Sequence, residues 1–245
     1  SAASDVYKSQ GKTIMLLSGT HTSGATAASA EITILGESGA VLDVGKTASY
    51  AIVLTGSAQT VKQLEIKGAT LKAVYISSIA SNALVESCEI HHCVATATAG
   101  YGVGAIGDGS QVKNCKIHHI GTVLDGETST SGEAFGIYVG KNCNDAVVSG
   151  NQLYLCRKAP IRVAGYDATV KSNYMWACWS GIDANSQKGG LWKDNIVEYC
   201  GEGAYVKHVT ASTVSAPRFE YNTIRRCWQF YYHSEGSPTA YSQQC

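Results

Sequence analysis

Two stretches of the chain read almost alike: VESCEIHHC at Val85–Cys93 and VKNCKIHHI at Val112–Ile120. Each begins with Val, has Cys three residues later and ends with an Ile-His-His run before a final apolar residue or Cys. This recurrence has two interpretations. The histidines with a nearby Cys suit a zinc or copper site, whereas a repeating structural unit would bring them together incidentally.

The same pattern extends along most of the chain, which favours the repeating unit. An apolar residue opens each copy, and Cys or Asn follows three residues later in all but the first, weaker copy; the copies start at Val61, Val85, Val112, Val148, Val170, Trp192 and Phe219. Their starts are 24, 27, 36, 22, 22 and 27 residues apart. The shortest spacing predicts a unit of about 22 residues, and the longer ones predict inserted loops.

A further short strand follows each copy, as in Gly136–Val139 and Pro160–Val163, and apolar residues alternate within it. Three short strands per unit, with 26 glycines and no helical periodicity, predict one coil of a parallel β-solenoid. A single coil cannot bury its apolar face, so the coils must stack, with about 4.8 Å between neighbouring strands.

The asparagines at Asn151, Asn173, Asn195 and Asn222 recur at one position of the unit. With the repeat, they resemble the right-handed parallel β-helix of the pectate-lyase-like superfamily and its asparagine ladder. The resemblance covers roughly residues 50–233. It implies an all-β fold of about eight coils, in which each Asn lies at a tight turn in the left-handed conformation and its amide bonds the next coil.

The fold prediction extends to the whole chain as a single domain, 1–245. Residues 1–50 are expected to form less regular first coils or a cap, 51–233 the regular coils, and 234–245 a C-terminal tail. The aromatic-rich stretch 227–245 either caps the last coil or stacks on another subunit, so end-to-end or trimeric association is a further expectation.

The repeat also predicts where the histidines and cysteines lie in each coil. His91 and His118 share one position on neighbouring coils, which favours a stacked ladder over a metal site. An inward stack of free thiols is predicted for Cys93, Cys156, Cys178, Cys200 and Cys227, because buried Cys packs as a small hydrophobic residue. Cys143 and Cys245 lie outside this register, and we expect a disulfide or exposed reactivity from them.

The outward side chains of the strand after each copy form the candidate site. Read coil by coil, they are Tyr138 with Gly140, Arg162 with Ala164, Asp183 with Asn185, Tyr205 with Lys207 (or His208, if the register shifts by one residue), and Tyr231 with His233. Tyr offers a stacking surface with a polar tip, and Arg pairs with carboxylates. Such a column suits an acidic sugar chain better than a plain solvated face.

Insertions at 94–103 and 121–135 precede two of these strands and are expected to wall the face. The second wall carries Asp125, Glu127 and Glu133. A third insertion at 207–219 would flank the other side.

The favoured function is a polysaccharide lyase that acts by β-elimination on a uronic-acid polymer. Arg162 would neutralise the sugar carboxylate, and Lys207, His208, Tyr138 or Tyr205 would act as base and acid. Substrate-binding roles are predicted for Asp183, Asn185, Tyr231, His233 and Glu133. The resemblance allows Ca²⁺, for which Asp183 with Glu202, or Asp125 with Glu133, would supply oxygens.

Two alternatives remain open. A glycoside hydrolase would use Asp183 and Glu202 as its carboxylate pair. A non-catalytic solenoid, such as an adhesin, a surface filament subunit or a phage tail spike segment, would use the same face for binding or assembly. The balanced charge, 19 basic and 19 acidic residues, argues against nucleic acid, and no apolar run is long enough for a membrane span. The expected location is extracellular or a cell or virion surface.

Overall fold

A computed structural model describes residues 13–94, 100–121, 133–209 and 216–235, without the side chains of 208–209 and 230–235. The described chain consists of β-strands joined by turns, in three sheets of nine strands each. This agrees with the predicted all-β solenoid of about eight coils. In these ranges, no helix has the length and apolar character needed to cross a membrane.

Each coil contributes one strand to each of three parallel sheets, numbered here along the chain. Sheet A contains β1 (Thr13–Leu16), β4 (Thr33–Gly36), β7 (Thr60–Lys62), β10 (Leu84–Glu86), β13 (Gln111–Lys113), β16 (Val147–Ser149), β19 (Thr169–Lys171), β22 (Leu191–Lys193) and β25 (Arg218–Glu220). Sheet B contains β2 (Gly19–His21), β5 (Ala40–Asp43), β8 (Glu65–Lys67), β11 (Glu89–Cys93), β14 (Lys116–Ile120), β17 (Gln152–Cys156), β20 (Tyr174–Trp176), β23 (Ile196–Glu198) and β26 (Thr223–Arg225). Sheet C contains β3 (Ala25–Ala27), β6 (Tyr50–Leu54), β9 (Lys72–Ile76), β12 (Gly100–Ala105), β15 (Ala134–Val139), β18 (Ala159–Val163), β21 (Ser180–Asn185), β24 (Glu202–Val209) and β27 (Gln229–Glu235).

The strand register confirms the predicted repeat. The residues that open the copies lie opposite one another in sheet A, in the order Val61, Val85, Val112, Val148, Val170, Trp192 and Phe219. Ile34, in an earlier coil, joins this column opposite Val61. The column points inward and is buried from Ile34 to Trp192. The variable spacing in sequence is therefore absorbed in the loops, and the core keeps one residue per coil.

A ladder of buried asparagines fixes the register between sheets A and B. Asn173 Oδ1 accepts hydrogen bonds from the backbone N (3.0 Å) and the Nδ2 (2.9 Å) of Asn151. The Nδ2 of Asn173 also donates to the carbonyl of Val148, at 3.0 Å. Asn195 and Asn222 repeat this arrangement on the following coils. The predicted ladder is confirmed, and it satisfies buried backbone groups at a turn where strand pairing stops.

The asparagine was predicted to be the left-handed residue of this turn, and this was wrong. The residue before the asparagine has the left-handed conformation. Gly150, Ser172, Asp194 and Tyr221 have φ of 67°, 55°, 53° and 53°. This placement turns the chain first and then directs the following Asn side chain inward, where its amide reaches the neighbouring coils. Exposed residues of several types tolerate the left-handed position, so no single residue type recurs there along the repeat.

Cysteines occupy the ladder position in two earlier coils. Cys115 Sγ lies 3.7 Å from the carbonyl oxygen of Val85, and Cys88 Sγ lies 3.8 Å from that of Val61. Both carbonyls correspond by register to the ones that the asparagine amides bond. A thiol is the weaker donor, so these coils keep the contact in a weaker form.

The other cysteines give a mixed result. Cys93 and Cys156 both lie opposite Ile120, so an isoleucine interrupts the predicted column, and the continuous inward stack stays a prediction. The seven buried cysteines in the described part of the chain are free thiols. Cys143 is fully buried with its Sγ 3.0 Å from the carbonyl oxygen of Gly107, so the expectation of exposed reactivity was wrong for this residue. Cys245 lies outside the described residues.

The predicted side-chain ladder on sheet B is confirmed. The His91 and His118 rings stack at 5.0 Å, His118 and Tyr154 at 4.7 Å, and Tyr154 and Trp176 at 4.3 Å. His92 lies in the left-handed region, φ 51°, which turns its Nδ1 to within 2.5 Å of that of His91.

These histidines are tied to carboxylates on the same sheet. His91 Nε2 lies 3.1 Å from Glu65 Oε1, and His118 Nε2 lies 3.1 Å from Glu89 Oε1. Burial lowers the pKa of His118 even though Glu89 acts in the opposite direction. No three His, Cys, Asp or Glu side chains come together as a metal site within the residues described. The arrangement is a hydrogen-bonded side-chain ladder.

We predict that Asn173→Ala lowers the free energy of unfolding by about 3 kcal/mol, because it removes four side-chain hydrogen bonds and leaves buried groups of Asn151 and Val148 unpaired. Urea denaturation would measure the change. Lys171→Ala, on an exposed outward position of the preceding strand, serves as the control and should change it by less than about 0.5 kcal/mol. Equal effects of the two substitutions would show that the ladder does not stabilise the fold.

Candidate functional site

The outward face of sheet C carries the predicted column of polar and aromatic side chains. Strand pairing places these residues opposite one another on successive coils: Tyr75, Gly104, Tyr138, Arg162, Asp183, Tyr205 and Tyr231. A second column pairs Asn185 with Lys207 and Lys207 with His233, so Lys207 rather than His208 holds the outward position. Of His208, Tyr231 and His233, the structure describes the strand position only.

An aromatic cluster adjoins this column on the earlier coils. Tyr101 stacks on Tyr138 at 4.8 Å and on Phe135 at 5.8 Å. Lys72 Nζ lies 4.0 Å from the centroid of Tyr75, a cation–π contact. Burial raises the pKa of Tyr101 to about 12 and lowers that of Lys72. These phenols therefore stay protonated at neutral pH.

The sequence prediction began the site at Tyr138 and missed this earlier part of the face. The signal was present in LKAVYI, 71–76, where Lys72 and Tyr75 flank two inward residues, and in SYAIVL, 49–54, where Tyr50 precedes two inward residues. These strands carry no carboxylate or Arg on the outward face, so the sequence alone does not mark them as part of a site.

Arg162 is held between a loop and the sheet. Its Nη1 donates to Glu133 Oε1 at 3.1 Å, and its Cζ lies 4.9 Å from the centroid of the Phe135 ring. Glu133 lies near the end of the insertion 121–135, which was predicted to wall this face, and its side chain reaches the face. Asp125 and Glu127, earlier in that insertion, lie outside the described residues. The guanidinium is thus oriented by one carboxylate and one aromatic ring.

Asp183 is the least ordinary group of the site. Its side chain is 2% exposed, and its Oδ2 lies 3.9 Å from Arg162 Nε, beyond hydrogen-bond length. Within the described part of the protein, neither Asp183 Oδ1 nor Arg162 Nε has a hydrogen-bond partner. Burial raises the pKa of Asp183 to about 7, although Arg162 and Lys158 lower it. Both atoms are buried, so a ligand hydroxyl could satisfy them, by donating to the carboxyl and accepting from the guanidinium, only after neighbouring side chains move.

Glu202 lies beside this pair but is held elsewhere. It faces Ser180 across the strands, and Ser180 Oγ donates to its Oε2 at 2.7 Å. Its charge contributes to the raised pKa of Asp183. Calcium binds six to eight oxygens. The groups that act on the Asp183 carboxyl include two cations, Arg162 and Lys158, which would repel the ion. The donor set of this pair therefore does not suit calcium, and binding of the ion stays a prediction.

Comparison with known proteins agrees with the architecture. The family model described as "Right handed beta helix region" matches residues 50–224. The chain belongs to this family. No curated protein matches it.

Solved structures of the same fold are distant in sequence. Pectate lyase Pel9A is 14% identical, with a TM-score of 0.63 over 87% of this chain and 71% of its own. Alginate lyase from Paenibacillus sp. str. FPU-7 is 15% identical, with a TM-score of 0.56 over 92% of this chain and 93% of its own. The Dettilon tailspike protein is 18% identical, with a TM-score of 0.54 over 81% of this chain, which spans 48% of the tailspike. At these identities the likeness shows the fold alone, a right-handed parallel β-helix.

We predict that Asp183→Asn stabilises the protein at alkaline pH. A carboxyl whose folded pKa is about 7 binds more protons in the folded than in the unfolded state between about pH 4 and 7, so wild-type stability falls as pH rises through that window. Asparagine stays neutral and avoids this loss. Urea denaturation should show the variant more stable at pH 8 by a margin on the order of 4 kcal/mol, and the margin should shrink at pH 4.5. A margin that does not change with pH would contradict the raised pKa.

Proposed function

We propose that the protein engages an extracellular acidic polysaccharide along the outward face of sheet C and cleaves it by β-elimination. The observation that carries the proposal is the buried pair of unpartnered atoms, Asp183 Oδ1 and Arg162 Nε. Buried polar groups of a purely structural solenoid would normally be satisfied within the fold. Two of the structures with the same fold, pectate lyase Pel9A and the Paenibacillus alginate lyase, are named as lyases.

Asp183 is the proposed base. A carboxyl with a pKa near 7 is ionised in part at neutral pH and is a stronger base than an ordinary aspartate. It would take the proton from C5 of a uronic-acid residue. The electron pair of that C–H bond would form the C4=C5 double bond, and the bond from C4 to the glycosidic oxygen would break. Asp183 thus takes the role that the sequence prediction gave to Lys207, His208 or a tyrosine.

The neighbouring residues would provide the rest of the chemistry. Arg162 would hold the C6 carboxylate and stabilise the charge that develops on it. Tyr138 and Tyr205 flank the Arg162–Asp183 pair by one coil on each side. Burial raises the pKa of Tyr138, which keeps its phenol protonated and suits it as the acid that protonates the leaving oxygen.

The remaining predicted residues would bind the sugars on either side of the cleaved bond. Asn185 and Lys207 pair across β21 and β24, and His233 continues their column on β27. Tyr231 continues the main column. Glu133 would position Arg162 through their ion pair. An acidic polysaccharide is encountered outside the cell or at a cell or virion surface, which is the location we propose.

The ultraviolet absorbance of the unsaturated product tests the proposal on polygalacturonate and alginate. Asp183→Asn and Arg162→Ala should each abolish the rise, and Asp194→Asn, the same substitution at an exposed turn on another side, should retain it. The wild-type rate at low substrate concentration should increase with pH, with a midpoint near the pKa of about 7. New reducing ends without unsaturated product would indicate a hydrolase. Unchanged activity of the Asp183→Asn variant would exclude Asp183 as the base.

A non-catalytic binding solenoid is the second candidate. The observation in its favour is the ion pair between Arg162 and Glu133, which already engages the guanidinium that the lyase reaction needs. The fold is also shared by a protein named as a tailspike. This candidate predicts binding of the polymer without any absorbance change, and its end-to-end or trimeric association would appear as concentration-dependent assembly in sedimentation.

A further inference from the structure

We propose that the corner between sheets B and C on the last coils holds a separate sugar-binding clamp made by Trp179 and Trp228. The clamp proposal takes its ligand, the acidic polysaccharide, from the proposed function, and it does not depend on any catalytic step. The corner has a cavity of about 650 Å³, within the usual size of small-ligand sites. Its lining consists of Trp179, Tyr199, Cys200, Gly201, Glu202, Arg226, Trp228 and Gln229.

The two tryptophans occupy the same position on alternate coils. Each follows the inward cysteine of its coil, as Gly201 does on the coil between them. The backbone confirms this alignment, because the N of Gly201 donates to the carbonyl of Cys178 and the N of Trp228 to that of Cys200. Trp179 is 60% exposed and Trp228 93% exposed, so neither contributes to the core.

Gly201 leaves the middle position of this column without a side chain. Positions two coils apart are separated by about 9.6 Å, and a ring placed midway would lie about 4.8 Å from each neighbour. The sheet B ladder has this spacing, with Tyr154 4.7 Å from His118 and 4.3 Å from Trp176. At this backbone spacing one ring fits between the two positions, and a pyranose with its apolar C–H faces toward the two tryptophans would fill it.

Polar groups around the gap suit a uronic acid rather than a purely apolar ring. Glu202 and Gln229 offer a carboxylate and an amide to sugar hydroxyls. Arg226 lies with its Cζ 5.2 Å from the centroid of Tyr199, and its guanidinium suits a sugar carboxylate. Glu202 also begins β24, three residues before Tyr205, so the cavity adjoins the sheet C face. One polymer chain could pass from the Asp183 site into the clamp.

Affinity electrophoresis and calorimetry with polygalacturonate and alginate test the clamp. Trp179→Ala and Trp228→Ala should each weaken binding of at least one polymer about tenfold, and replacement by Phe, which keeps a ring face, should restore most of it. Tyr221→Ala is the matched control. Tyr221 is 80% exposed on the same coils but does not line the cavity, so its variant should bind like the wild type.

The outcomes separate this proposal from the lyase. Tryptophan-dependent binding without unsaturated product would support the clamp and overturn the lyase. An absorbance rise with binding that neither alanine variant weakens would support the lyase and overturn the clamp. A wild-type protein that binds neither polymer would overturn the clamp, and so would a Tyr221→Ala variant that loses as much affinity as the tryptophan variants.

Discussion

The in-register hydrogen bonding of one coil to the next is the constraint on which the rest of the structure depends. Backbone pairing alone would let a three-residue strand slip, because each sheet A strand makes few bonds. The buried Asn173 amide prevents this, since it binds Asn151 on one coil and Asn195 on the next. Because such groups cost free energy when unpaired, a slip by one residue would be penalised at every coil.

This fixed register converts sequence position into columns of side chains. Inside, the column from sheet A is apolar, and the protein builds it from Val, Ile and even Trp192, whose Nε1 donates to the buried Gln187 at 2.7 Å. Outside, the same register stacks rings on one another, as with Tyr101 on Tyr138. A glycine in such a column leaves an opening between the side chains of its two neighbours, as Gly201 does between two exposed tryptophans.

The predictable part of the fold is the part that repeats. The column from Val61 to Phe219 was read from spacing alone, because every coil must supply one inward residue at the same place. The left-handed turn residue was misplaced by one position, since exposed residues of many types occupy it and leave no signal. The burial of Asp183 could not be predicted from the sequence, because an outward position in a strand is ordinarily exposed and only the three-dimensional structure shows this side chain covered.

Burial is also what makes Asp183 informative about function. A carboxyl on the outer face of a solenoid could be solvated at no cost, yet this one is covered and its ionised form is disfavoured. Arg162 does not compensate fully, because its closest approach, 3.9 Å, is too long for a hydrogen bond and its Nη1 is engaged by Glu133. The fold thus keeps a carboxyl with a pKa of about 7 beside an oriented cation, which is costly for stability and would suit the proposed acid–base role.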